Sequence, residues 1–562
     1  MENKKETAQE KYNVFLNNLL KKKLFESAMD IHNALMKAFN VTPENARKIV
    51  ARAVDQKVIK SSKPYTFGKG QYVYIYNEHY FDKEGIKTVT QKSRPPIYRL
   101  LELMDQNGGI TSYYEALKIT AAPLEESSTK VTSLEDILTL LMKLDIIYKK
   151  KDRNDVVFII YKEDKKEVNE VREGMMMAFH FNKMVMDCTV LPDILRWLGN
   201  SNIIDNNGVI YRNKKTPQIG AVHNNLVWDA FAYTKATGIN HIMGARATTS
   251  DKQTLVALDV VLAEEYSAIH LDAFLSRIQI NLNSVKEGDR KILPIIVYKS
   301  CSDHTFNKIK MNGILAFDVA SIFGTRIYEV LDRMAELSIL LFRNDQIDNT
   351  IEGILKTISS AGQDEALKEL RGTLFEFLMY PLLTILYPNA NIKRGKILER
   401  INEVGEKEKY EYDYIIESSN PPELIFVELK GYQAGATIKT GDSNTKASLK
   451  WFFKKTLPFA ENFYKARLSE LPVKAVFITS ANFYDDGLEF LTKMDNSKYK
   501  AKNLNTGYNR TSLLALLKEN GFENEIRILN KFYSRSDDRD ELSDAGQTGN
   551  ILQDLELDYP KV

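Results

Sequence analysis

The sequence predicts a multidomain protein that combines α+β and α/β domains, the latter built on central mixed sheets flanked by helices. Its 562 residues exceed one ordinary hydrophobic core and are typical of roughly three to five domains. Residues 1–168 twice show amphipathic helices followed by short strands, whereas residues 170–533 contain apolar strands of the buried type between helices. These patterns predict two small helix-and-strand modules ahead of two larger sheet domains.

The composition excludes several classes of protein. A net charge of +2 excludes a uniformly basic nucleic-acid coat, so nucleic-acid binding requires local patches. Two distant cysteines, Cys188 and Cys301, exclude a disulfide framework and a thiolate zinc cluster. The first residues carry no apolar signal region, and no segment approaches the ~20 apolar residues that span a bilayer. We therefore expect a cytoplasmic protein with no membrane partner.

Residues 1–85 predict a first module of helices and a β-ribbon. Asn13–Leu20 and Ala28–Phe39 are amphipathic, and Thr42 followed by Pro43 is typical of a helix start. The helix that follows runs to Gln56, and its polar side carries three basic residues, Arg47, Lys48 and Arg52. The module resembles a winged helix, in which such a helix enters the DNA major groove and the loop at 60–70 forms the wing. We predict that the three basic residues contact DNA; a protein contact is the alternative.

Residues 90–168 predict a second winged-helix-like module. The predicted helices are Pro95–Met104, Ser112–Ile119 and Ser133–Leu144, and Val156–Tyr161 is a predicted strand. The basic run from Lys149 to Arg153 is expected to form a solvated turn.

Three charged residues near the C-terminal end indicate a catalytic site. The run Tyr410–Ile416 alternates around Asp413, and the buried-type strand Leu424–Val427 leads into Glu428 and Lys430. The polar segment between these strands is rich in turn formers. Adjacent strands would therefore bring two carboxylates and one ammonium to a common edge, where they could bind a divalent cation and activate a water.

A helix predicted at Leu367–Leu386 adds a further acid. Glu376 lies among its apolar residues, and a carboxylate in such surroundings is costly unless it is paired, protonated or bound to a metal. Pro381 is expected to kink this helix or to end it early.

In this order of helix and strands the chain resembles the PD-(D/E)xK restriction-endonuclease-like superfamily, with Asp413 as the aspartate and Glu428-Leu429-Lys430 as its ExK motif. Tyr412 stands where the family motif has proline. The resemblance implies a nuclease domain at residues 345–533. In it Asp413, Glu428 and the Leu429 carbonyl would bind Mg²⁺ or Mn²⁺, and Lys430 would position or deprotonate the attacking water. Glu376 would hold a second ion or orient a metal-bound water.

A basic helix is predicted at Thr445–Phe459, after the ExK strand. Its lysines are candidates for phosphate contacts, which carry no sequence information: Lys446, Lys450, Lys454 and Lys455.

Residues 170–335 resemble a second, degenerate restriction-endonuclease-like domain. We predict a helix at 220–237, a strand at Leu255–Leu262 with Asp259 as the aspartate, and a second strand at Ser267–Asp272. Further strands are predicted at Ile292–Tyr298 and Gly313–Asp318. Because His270 and Asp272 stand where the family has glutamate and lysine, we expect no catalysis. Two alternatives remain, an ordinary α/β domain and a metal site formed by Asp229, Asp259, His270 and Asp272.

The predicted function is that of a Mg²⁺-dependent endodeoxyribonuclease in bacterial restriction or antiphage defence. It would act on DNA as a homodimer or with partner subunits of a defence system. The alternatives are a structure-specific nuclease of DNA repair or recombination, and a catalytically dead DNA-binding scaffold. The motif does not distinguish DNA from RNA. The acidic tail at 534–562 is expected to be disordered.

Overall fold

The computed structural model describes residues 7–67, 72–125, 133–152, 155–162, 170–205, 208–235, 254–283, 291–343, 347–401, 405, 407–432, 435–465 and 471–534. Lys69 in the predicted wing and nearly all of the predicted tail lie outside these residues. The chain divides into two compact units, Met1–Tyr328 and Glu329–Val562. The fold is mixed α and β, with two mixed sheets flanked by helices. Among the described residues, every helix is too short or too polar to cross a lipid bilayer.

The first module of the N-terminal unit contains three helices and a three-stranded antiparallel sheet of order β1-β3-β2. Thr42 accepts a hydrogen bond from the Asn45 amide and Pro43 opens the helix, as the sequence predicts. Apolar residues of all three helices form its core. The elements are α1 (Ala8–Lys23), β1 (Phe25–Ser27), α2 (Ala28–Phe39), α3 (Pro43–Asp55), β2 (Ile59–Ser61) and β3 (Val73–Tyr76).

After one additional helix, α4, the second module repeats this order of elements, and its antiparallel sheet has the equivalent order β4-β6-β5. One expectation is wrong: Lys149–Lys151 is part of strand β5, because the run pairs with Val157–Ile159 on β6. Arg153, the last residue of the basic run, lies outside the described residues. The elements are α4 (Lys83–Ser93), α5 (Pro95–Gln106), β4 (Ile110–Ser112), α6 (Tyr113–Thr120), α7 (Leu134–Lys143), β5 (Ile147–Lys151) and β6 (Val157–Tyr161).

The middle region, which completes the N-terminal unit, has a five-stranded mixed sheet of order β13-β12-β11-β10-β7 and a separate hairpin, β8-β9. Its elements are α8 (Glu170–Thr189), α9 (Leu191–Asn200), β7 (Ile210–Tyr211), β8 (Ala221–His223), β9 (Leu226–Trp228), β10 (Ala230–Thr234), β11 (Thr254–Tyr266), α10 (Ala268–Asn283), β12 (Ile292–Cys301), α11 (Asp303–Met311), β13 (Leu315–Asp318) and α12 (Val319–Phe323).

Two predictions for the middle region are wrong. In its described part, residues 220–235, the helix predicted at 220–237 is replaced by β8, β9 and β10, and Asn224 and Asn225 form the turn of the hairpin with φ angles of 52° and 60°. The strand predicted at Ser267–Asp272 is the start of α10. There the Ser267 amide and hydroxyl lie within 3.2 Å of the His270 ring nitrogen Nδ1, which ties the first turn together.

The C-terminal unit contains a five-stranded mixed sheet of order β14-β15-β16-β18-β20. Helix α13 (Ile327–Arg343) crosses the boundary of the two units. The remaining elements are α14 (Asp348–Ser360), α15 (Lys368–Leu386), β14 (Asn391–Ile401), β15 (Lys407–Ser419), β16 (Pro422–Lys430), β17 (Thr437–Ile438), α16 (Leu449–Trp451), a π-helical turn (Phe452–Thr456), α17 (Leu457–Phe463), β18 (Val473–Thr479), β19 (Asn482–Phe483), α18 (Asp485–Asp495), β20 (Gly507–Tyr508), α19 (Arg510–Glu519) and α20 (Glu523–Phe532).

The two five-stranded sheets share one topology. In each, an edge strand pairs antiparallel with the second strand, and the second strand pairs antiparallel with the third. The third, fourth and fifth strands are parallel, and helices connect them. The second and third strands are β10 and β11 in the middle region, and β15 and β16 in the C-terminal unit.

Candidate active site

Asp413 and Glu428 are neighbours across the antiparallel pair of β15 and β16. The last register pair of these strands is Tyr414 with Val427, so the next residues on the two strands are Asp413 and Glu428. Asp413 is only 3% exposed. The two carboxylates that the sequence predicts at one edge of the sheet therefore lie on adjoining strands at the same level.

The Asp413 carboxylate is fixed by the backbone of the neighbouring strand. The Leu429 amide donates a hydrogen bond of 2.6 Å to Asp413 Oδ2. This bond places the carboxylate beside the residue between Glu428 and Lys430. Because a hydrogen bond to a carboxylate is a strong one, it holds the Asp413 side chain in one orientation.

Lys430 faces Glu428 directly. Its Nζ lies 2.6 Å from Glu428 Oε1, and both side chains are mostly buried. The strand end that carries Lys430 is anchored to β18, since Thr479 Oγ1 and the Ser480 amide donate to the Lys430 carbonyl at 2.7 and 3.2 Å. The backbone that carries the ammonium beside Glu428 is thus well anchored.

Glu376 lies on α15, where this helix approaches the end of β16. A Cβ atom added to Gly431 would lie 2.4 Å from Phe375 Cβ, so only glycine permits this approach after Lys430. Tyr414 Oη donates to the Glu376 carbonyl at 3.0 Å. Burial raises the pKa of Tyr414; the Arg394 charge lowers it, but the Glu376 and Asp413 charges raise it again, so this hydroxyl remains a donor. Pro381 lies inside α15 and does not end it.

The predicted ligands Asp413 and Glu428 suit a hydrated divalent cation. Mg²⁺ in proteins commonly keeps several waters and takes one or two carboxylates, so two neighbouring acids and the Leu429 carbonyl provide a suitable donor set. Within the described ranges, no group of three acidic, histidine or cysteine side chains converges on a point that could hold a metal ion.

The predicted basic helix begins later than expected. Ser448 caps it by accepting from the Trp451 amide at 3.2 Å, so Lys446 lies in the loop before the helix and is exposed there. Lys454 is exposed, whereas Lys450 and Lys455 are partly buried. The turn at Phe452–Thr456 is π-helical, a form frequent at functional sites.

This helix is attached to β15 close to Asp413. Tyr412 Oη donates a hydrogen bond of 2.5 Å to the Thr456 carbonyl. Tyr412 precedes Asp413 and Tyr414 follows it, and each tyrosine donates a hydrogen bond to a different helical segment. The aspartate therefore lies between two anchored residues.

The basic residues predicted on α3 are exposed. Ala46, Ile49, Val50 and Ala53 are its buried residues, and the exposed ones include Arg47, Lys48 and Arg52. The equivalent helix of the second module, α7, carries Glu135 and Asp136 in its first turn. A basic face is therefore presented by α3 and not by α7.

The middle sheet repeats the geometry around Asp413. The last register pair of β10 and β11 is Ala230 with Leu258, so the next residues are Asp229 and Asp259. The Val260 amide donates to Asp229 Oδ2 at 2.8 Å, as the Leu429 amide does to Asp413. Asp229 thus corresponds to Asp413 and Asp259 to Glu428.

The alignment of motifs predicted for the middle region is therefore wrong. The position of Lys430 is taken by Val261, and both His270 and Asp272 lie on α10, outside the strand pair. His270 Nε2 is 3.3 Å from Glu264 Oε1. The sequence did carry a signal for the correct pair, because Asp229 directly precedes an apolar stretch that β10 forms. The apolar run after Asp229 is compatible with either a helix or a strand, so the sequence pattern alone did not identify β10.

Comparison with protein-family models, with curated proteins and with solved structures finds no match.

Proposed function

We propose that the C-terminal unit is a metal-dependent nuclease that hydrolyses phosphodiester bonds in DNA. The supporting observation is the arrangement of Asp413, Glu428 and Lys430: two carboxylates at one level of adjoining strands, with an ammonium 2.6 Å from one of them. The resemblance to the PD-(D/E)xK superfamily adds to it. The setting in restriction or antiphage defence rests on that resemblance alone.

Each residue has a definite role in this proposal. Asp413 and Glu428 bind Mg²⁺ or Mn²⁺, with the Leu429 carbonyl as a further ligand. A bound ion of this kind lowers the pKa of its water and stabilises charge on the phosphate. Lys430 orients the attacking water as an ammonium or, as the neutral amine, accepts its proton, and Glu428 holds the lysine side chain in place. Glu376, on α15, orients a metal-bound water at the edge of the site or holds a second ion.

The flanking parts serve to hold the substrate. Lys446, Lys450 and Lys454 contact phosphates from the loop and helix beside β15. The first module is a winged helix whose α3 contacts DNA through Arg47, Lys48 and Arg52. The second module has the winged-helix order of elements without a basic α7. The middle region is a degenerate restriction-endonuclease-like domain that does not cut.

A cleavage assay tests the proposal. Supercoiled plasmid, branched DNA, single-stranded DNA and RNA are incubated with the full chain and Mg²⁺, Mn²⁺ or EDTA. We expect cutting of DNA with either metal ion and none with EDTA. Lys430→Ala should lower the rate by at least about 100-fold in a chain that still folds. Cutting of branched DNA alone would favour a repair nuclease.

Lys474→Ala is the matched control. Lys474 is on the adjacent strand β18 and donates to the Lys498 carbonyl, so the substitution removes a strand lysine of the same unit outside the site. It should cut at the wild-type rate. Equal cutting by Lys430→Ala and wild type would refute the proposed chemistry.

A further inference from the structure

Lys118 of the second module occupies the counterpart of the proposed metal position in the middle sheet. Its Nζ lies 2.5 Å from Asp229 Oδ2 and 3.1 Å from Asp259 Oδ1, and it donates to the Val260 carbonyl at 3.3 Å. These three groups correspond one by one to the Asp413 carboxylate, the Glu428 carboxylate and the Leu429 carbonyl. One ammonium thus contacts the same set of groups that the cation would contact in the C-terminal unit.

Two arginines complete the compensation of charge. Arg277 Nη2 lies 2.7 Å from Asp259 Oδ1, and Arg212 Nη1 lies 3.3 Å from Asp229 Oδ1. Arg212 also lies 3.6 Å from Asp187 Oδ2, so three cations face three carboxylates. Two tyrosine hydroxyls add hydrogen bonds to the pair, from Tyr114 to Asp229 and from Tyr266 to Asp259.

This cluster is closed to solvent. Asp229, Asp259 and Arg277 are at most 1% exposed, Arg212 is 2% exposed and Lys118 is 7% exposed. Burial lowers the pKa of Lys118, but the Asp229 and Asp259 charges outweigh it and hold the pKa above its ordinary value. Burial raises the pKa of Asp259, and the Lys118 and Arg277 charges reverse that effect, so the aspartate stays ionised. Both the lysine and the aspartate are therefore charged in the folded protein.

Apolar contacts join the same two parts of the chain. Val227, Ile269 and Ala273 of the middle region are buried in one core with residues of the second module. A Cβ atom on Gly220 would lie 2.4 Å from the Tyr114 ring, so α6 packs closely on the hairpin. Lys118 therefore reaches the acids from a helix that is itself packed against the middle region.

We infer that Lys118 replaces a metal ion in the middle sheet and turns this copy of the site into a fixed joint between the second module and the middle region. The replacement of a metal ion rests on the proposed function, whereas the joint between the two parts of the chain does not. The cluster binds no divalent cation because its carboxylates are already compensated. Removing one partner of a buried ion pair is strongly destabilising, since the other charge stays buried without compensation.

Thermal unfolding of the full chain tests the joint. Lys118→Met should lower the unfolding temperature of the N-terminal unit by several degrees, and Lys118→Met/Asp229→Asn should recover part of the loss because one buried negative charge is removed. The control Lys162→Met removes an exposed lysine paired with Asp145 and should change nothing. A wild-type unfolding temperature for Lys118→Met would overturn the inference, as would a double variant no more stable than the single one.

Titration with Mn²⁺ alone, followed by electron spin resonance, tests the metal replacement. The double variant Asp413→Asn/Glu428→Gln should retain no bound Mn²⁺, since the middle cluster provides no site. Binding that survives in this variant and is lost on Asp259→Asn would refute the replacement. Wild type that binds no Mn²⁺ would count against the proposed function and leave the joint to be judged by the unfolding data.

Discussion

The Leu429 amide and the Asp413 carboxylate are joined by a hydrogen bond of 2.6 Å between adjoining strands. The orientation of the aspartate is therefore set by the strand that carries Glu428 and Lys430, and not by a flexible neighbour. A substitution that removes the charge of Asp413 but keeps the acceptor oxygen tests the charge without breaking this hydrogen bond.

Asp413→Asn is the variant that does so. Its amide oxygen can still accept from Leu429, so the unfolding temperature should stay close to wild type, whereas cleavage should fall by about 100-fold or more because the ligand charge is lost. Mn²⁺ affinity and plasmid cleavage measured on the same preparation check this. Retained Mn²⁺ affinity together with retained cleavage would show that Asp413 is not a ligand.

Glu376→Gln should have a smaller effect. Glu376 lies on α15, and residues that act through a metal-bound water typically change activity by about 10-fold to 100-fold. We expect a decrease in rate of about 10-fold with unchanged Mn²⁺ affinity. Glu369→Gln, in the first turn of the same helix, serves as the control and should cut normally. A loss of Mn²⁺ affinity in Glu376→Gln would make this residue a direct ligand.

Substituting Arg47, Lys48 and Arg52 by alanine should weaken DNA binding and leave the chemical step unchanged. If all three contact phosphates, the slope of log affinity against log salt concentration becomes less steep by about 3. Binding is measured by fluorescence anisotropy at several salt concentrations in EDTA, and the rate by single turnover at saturating DNA. The control removes equal charge from the exposed end of α1 through Lys21, Lys22 and Lys23. A similar slope change in the control would indicate a non-specific charge effect.

Glu115 should make the stability of the N-terminal unit depend on acid pH. Burial raises the pKa of this carboxyl, but the His180 charge and the bonds from Ser112 outweigh burial and lower it from 4.5 to about 2. Since the pKa is lower in the folded state, this contribution to stability is present above about pH 4.5 and is lost as the pH falls towards 2. Unfolding temperatures of Glu115→Gln should therefore vary less across that range than those of wild type. A curve parallel to wild type would contradict this.

The strands and helix around Asp413 could be predicted from the sequence because the signals are local. The alternation around Asp413 sets β15, and the short apolar run before Glu428 sets β16. Helical spacing of apolar residues likewise predicts α15, which continues past Pro381 to Leu386 and does not end early. Each of these elements follows from residues within a few positions of one another.

The joint at Lys118 could not be predicted, since Lys118 and Asp229 are 111 residues apart. The apolar run before Tyr233 fits a helix as well as a strand, and the pairing of β10 with β11 decides between them. Without that pairing, the correspondence of Asp229 with Asp413 is invisible. The long-range pairing of the strands therefore decided the structure of this segment, which its local pattern did not.

Val261 has a consequence for how a duplex would be severed. Val261 stands in the middle sheet where the C-terminal sheet has Lys430. In the proposed nuclease each chain would therefore possess a single cutting centre. A plasmid would then pass through an open-circular form before becoming linear, unless two chains act together. The order in which these two topological forms appear, and its change with protein concentration, would report how many chains meet on one substrate.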